Sequence, residues 1–131
     1  MDSRLKDLLR EHHLEVKFLP IEKRGYIIPT PPDQPDILII NQDLSDEEAE
    51  RVILHEIGHA NDAFDIEDYK GNYSVRITSE DCANKYMVKQ LVKKYAELGY
   101  DISNTNWLDF ANSIGTEKYK TVRKELEKYC E

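Results

Sequence analysis

The spacing of apolar and polar positions divides the chain into a mixed front third and a helical remainder. Between Ser3 and His13, Leu5, Leu8 and Leu9 fall on one stripe at helical spacing, which predicts a short amphipathic helix. Glu15–Leu19 alternates polar with apolar and reads as a strand, and Gly25–Ile28 and Asp36–Ile40 read as two more. All five prolines lie between Pro20 and Pro35, which confines that region to strands, turns and a loop over Thr30–Pro35.

From Asp43 onward the apolar period lengthens to that of a helix. Ser45 followed by Glu48 has the spacing of a capping box and predicts a helix that runs to about Phe64. Asp65–Val75, rich in Asp, Tyr, Gly and Asn, reads as a loop. Thr78 and Asp81 repeat the capping spacing and predict a second long helix, stopping near Leu98 before Gly99. Asn106–Ile114 predicts a short helix ended by Gly115. Thr116–Tyr129 predicts the last, amphipathic through Tyr119, Val122, Leu126 and Tyr129. The predicted fold class is α+β, a small three-stranded sheet packed on a helical core, in a single domain over residues 1–131.

Charge narrows the function. Against 18 basic residues stand 26 acidic ones, a formal net charge of -8, which argues against nucleic acid as a direct partner. Lys93, Lys94 and the lysines from Lys118 to Lys128 read as solvated helix faces. Met1–His13 has no apolar run of the signal-peptide kind, and no stretch approaches a membrane span, so a cytoplasmic protein away from membranes is expected. Cys82 and Cys130 are too few for a disulfide framework and read as reduced thiols. His12 and His13 end the first helix, where a cationic group suits the helix dipole.

The chemistry-bearing motif is His55-Glu56-Ile57-Gly58-His59, an H-E-x-x-H sequence on the first long helix. Residues four apart share a helix face, with Cβ atoms about 5–6 Å apart, so two imidazoles can converge on one ion. Glu56 lies about 100° round the helix from His55 and flanks that ion as a general base. Ile53, Ile57, Ala60 and Phe64 form an apolar face roughly opposite the histidines. Gly58 leaves room for a second element to approach.

A zinc site of this kind needs a third protein ligand and an open fourth position. Asp62 lies one residue short of a full turn after His59 and is better placed to orient that histidine by a hydrogen bond. Asp65 lies at or beyond the helix end. Glu80 opens the next helix and shares a stripe with Asn84, Met87 and Leu91, polar at its start and apolar beyond, as if laid across a metal site and into the core. Glu80 is preferred, with Asn84 as a further supporting group. Oxyanion stabilisation would need a placed donor, for which Tyr69, Tyr73 and Arg76 are the candidates.

Ile53 to Ala60 together with Glu80-Asp81-Cys82-Ala83-Asn84 resembles the ImmA/IrrE family of metallopeptidases, in its H-E-x-G-H-A helix and later E-x-x-A-N. Asp36 to Asn41 resembles the family's strand before that helix, so the similarity spans roughly residues 14 to 96. Tyr86-Met87 stands where the family often has Phe-Ala, a difference that bears on packing. The resemblance implies a zincin-like fold with the motif on its central helix. It implies a zinc cofactor held by His55, His59 and Glu80, and Glu56 as general base. It also implies peptide hydrolysis in a protein substrate, such as a phage or mobile-element helix-turn-helix repressor. A zinc-stabilised regulator that binds a repressor without cutting it is the alternative.

Overall fold

The computed structural model describes residues 3–60 and 73–130, with the backbone alone for residues 60 and 73–78. Asp62, Asp65 and Tyr69 therefore lie outside the described residues, as do the side chains of Tyr73 and Arg76. The described elements are α1 (Ser3–Glu11), β1 (Leu14–Leu19), β2 (Gly25–Ile28), β3 (Asp36–Asn41), α2 (Asp46–Ala60), α3 (Tyr73–Glu97), a 3-10 turn at Ile102–Asn104, α4 (Trp107–Ser113) and α5 (Tyr119–Glu127). The class is α+β, as expected.

The sheet has the order β1-β3-β2. β3 pairs antiparallel with β2 (Ile27 beside Leu38) and parallel with β1 (Val16 beside Leu38). The central strand is the most apolar of the three, and Leu38, Ile39 and Ile40 are buried. Entry into the sheet is set by His13, whose backbone is left-handed at φ 55°; its carbonyl accepts the Asp36 amide at 3.0 Å. The end of α1 is thereby tied to the start of β3.

Ser45 caps α2 as its spacing predicts: its hydroxyl accepts the Glu48 amide at 3.2 Å. Ile53 and Ile57 of α2 are fully buried against the sheet, in a core that also takes Leu5 and Leu9 of α1 and Met87 and Leu91 of α3. A second core gathers Val88 and Val92 of α3 with Ile102, Phe110, Val122 and Leu126. Neighbouring positions on α3 thus face different cores, and this helix is the wall between them.

The second long helix begins at Tyr73, five residues before the predicted start. Asp81 does not cap it. The Asp81 carboxylate is taken up by Lys85 at 3.0 Å and by Lys118 at 3.1 Å, which hold its pKa below the usual carboxylate range. Asn106 does cap α4, accepting the Leu108 and Asp109 amides, and Gly99 and Gly115 adopt positive φ just past helix ends. Both thiols, Cys82 and Cys130, are free and exposed. Among the described residues no helix is long and apolar enough to cross a membrane.

Candidate metal centre

α2 and α3 cross at Gly58. A Cβ placed there would come within 2.8 Å of the Ala83 Cα and 3.1 Å of the Tyr86 Cβ. The sequence expectation that Gly58 admits a second element is met, and that element is α3. Because the contact is backbone against backbone, only glycine permits this approach. It carries the first described turns of α3 alongside the histidines of α2.

His55, His59 and Glu80 meet there. His55 Nε2 lies 3.0 Å from one Glu80 carboxylate oxygen, His59 Nε2 lies 3.1 Å from the other, and the two Nε2 atoms are 3.2 Å apart. The imidazoles stand edge to face, with centroids 4.7 Å apart. These three side chains form a group able to hold a metal ion. Their side chains are 24%, 19% and 40% exposed, so the group is fixed by the protein on one side and open to solvent on the other.

The orientation of His59 has a cause that the sequence reasoning missed. Its Nδ1 is 3.0 Å from the Ser79 hydroxyl, and Ser79 is buried. With Nδ1–H donated to that oxygen, Nε2 is left with its lone pair toward Glu80 and His55. The only signal for Ser79 is its place beside Glu80. Asn84 lies half-buried one turn after Glu80, and among the described residues it makes no hydrogen bond to the triad.

Glu56 is half-buried between the two histidines in sequence. Burial pushes its carboxyl up to about 7, and the negative charge of nearby Glu80 adds to the rise. The group therefore exchanges its proton near neutrality, the range in which a general base is effective.

No family model, curated protein or solved structure matches this chain. What the site can do therefore follows from its own atoms. Two imidazoles, one carboxylate and an adjacent carboxyl of raised pKa make a donor set suited to a divalent cation, with a proton acceptor beside it.

Proposed function

We propose that this chain is a zinc-dependent peptidase with a zincin-like arrangement, in which His55, His59 and Glu80 hold the ion and Glu56 acts as general base. The observation that carries the proposal is the triangle of ligand atoms with sides of 3.0, 3.1 and 3.2 Å. Zinc bonds of about 2.0–2.1 Å in a tetrahedron require ligand atoms about 3.3 Å apart. The three side chains are thus within a few tenths of an ångström of a zinc-binding geometry. Three protein ligands among the described residues, with an exposed side, suit catalysis better than a purely structural site, which four protein ligands would close.

Zinc bound there would supply a Lewis acid that acidifies water and polarises a peptide carbonyl. The chain's own contribution is proton handling and orientation. Glu56 would take a proton from the attacking water and return it to the departing amine. Ser79 holds the His59 ring with Nε2 toward Glu80, where it could serve as a ligand. By its resemblance to the ImmA/IrrE family the substrate is a protein, a helix-turn-helix repressor of a phage or mobile element. An acidic protein of net charge -8 suits a basic partner of that kind.

The decisive experiment is Glu56→Gln, which keeps size and removes the base. Zinc content should stay near one per chain, while cleavage of a repressor substrate falls by about two or more orders of magnitude. Relief of repression by the variant, with no cleavage product from either protein, would replace the peptidase with a zinc-stabilised regulator that acts by contact.

A further inference from the structure

Leu14, Val16 and Phe18 share the helix-facing side of β1, yet their exposure rises along the strand. Leu14 is buried and Val16 half-buried, whereas Phe18 is 47% exposed. The cause is a cleft of about 400 Å³ at that end of the sheet, where α1, α2 and α3 part. Its floor is made of Leu5, Ala49 and Ile53, all members of the first core. The core is thus left unfinished beside Phe18. Leu19, the next residue, is also 42% exposed, and among the described residues β1 pairs only with β3.

The rim is acidic. Asp46 and Glu47 border the cleft, are exposed, and are in no ion pair among the described residues. Glu50 is also there but is neutralised by Lys94 at 2.8 Å. None of the residues lining the cleft belongs to the His55, His59 and Glu80 group; the helical period sets Ala49 and Ile53 on average about 120° round α2 from His55 and His59, and Glu47 is about 12 Å along the axis from His55. The cleft is therefore a surface separate from the metal centre.

We infer that this cleft is a docking site for a basic, extended segment of a partner protein. A large apolar side chain of that segment covers Phe18 and the cleft floor, and flanking lysines or arginines meet Asp46 and Glu47. Charge complementarity selects the occupant: an acidic segment would meet like charge, and a purely apolar one would leave both carboxylates unanswered. The inference holds whether or not the metal centre hydrolyses peptides.

The test is a titration of the isotope-labelled full-length protein with two amidated eight-residue peptides, one alternating lysine with leucine and one alternating glutamate with leucine, followed by amide chemical shifts. The lysine peptide should move the signals of Phe18, Ala49 and Ile53, and the glutamate peptide should not. Phe18→Ser should weaken binding about tenfold or more, as expected for the apolar area it would lose. Asp46→Asn with Glu47→Gln should weaken it at least about threefold and flatten its salt dependence. These two neutral changes preserve side-chain size, so they carry the test if Phe18→Ser does not fold. Equal binding of both peptides, or shifts away from the cleft, would overturn the inference. So would self-association abolished by Phe18→Ser, since a second copy would then be the occupant.

Discussion

Two side chains at the candidate metal centre have effects that can be separated from those of the candidate ligands. Ser79 is not one of the three candidate ligands, yet it orients the ring of His59 through Nδ1. Ser79→Ala should weaken zinc affinity by about 10–100-fold, the usual loss when a ligand's orienting partner is removed; competition with a colorimetric chelator would measure it. An unchanged affinity would show that packing alone holds the ring. Glu56 makes a second prediction, for the metal-free protein. Its carboxyl titrates near 7 when folded and near 4.5 as a free group. The raised value means that its stabilising contribution is fully present below 4.5 and is lost as pH rises through about 7. Glu56→Gln removes this loss and should therefore stabilise the chelated protein more at pH 8 than at pH 5. The gain should be on the order of 1–3 kcal/mol after allowance for solvent screening, read as a difference in melting temperature. A variant that gains equally at both values would contradict the burial of this carboxyl.

At the scale of elements, the site depends on how closely α2 and α3 cross. Gly58→Ala puts a methyl 2.8 Å from the Ala83 backbone, so the helices must separate. Overpacking of about 1–3 kcal/mol should outweigh the helix-propensity gain of up to about 1 kcal/mol. The same separation should draw Glu80 away from the histidines and lower zinc affinity about tenfold or more, measured beside the melting temperature. Much of this arrangement was legible in the sequence, because strong local rules acted alone. Ser45 had only its own helix to cap, the prolines bounded the strands, and the H-E-x-x-H spacing set two candidate ligands on one face. Glu80 was legible because it began a stripe that ended in buried Met87 and Leu91. Long-range contacts hid the rest. Asp81 matches a cap signal, but Lys118, 37 residues later, helps claim its carboxylate. Nothing in β1 announces its parallel pairing with β3, which is set when α1 and the sheet fold together around His13. Ser79 looks like any hydroxyl until the helices cross.

For the whole molecule, zinc held at the proposed site should act as a stabilising ligand. Anything that binds the folded chain alone adds stability, about 4 kcal/mol at a thousandfold excess over Kd. A domain of 131 residues gains about 3–5 °C for each kcal/mol. Zinc-loaded protein should therefore melt about 10 °C or more above chelated protein, and His55→Ala and His59→Ala should abolish the difference. Equal melting with and without zinc would count against the site. Two of the candidate ligands sit on α2 and the third on α3, 25 positions beyond His55. Considered as a polymer, a chain holding zinc there would be a ring closed by one ion. A covalent closure of that size takes about 3–4 kcal/mol of freedom from the unfolded chain, and here the closure can be undone without breaking a covalent bond. With Cys82 and Cys130 both free, the ring would open whenever zinc ran short. Chelated protein should then open more often than loaded protein, so its resistance to an added protease should follow the zinc supply.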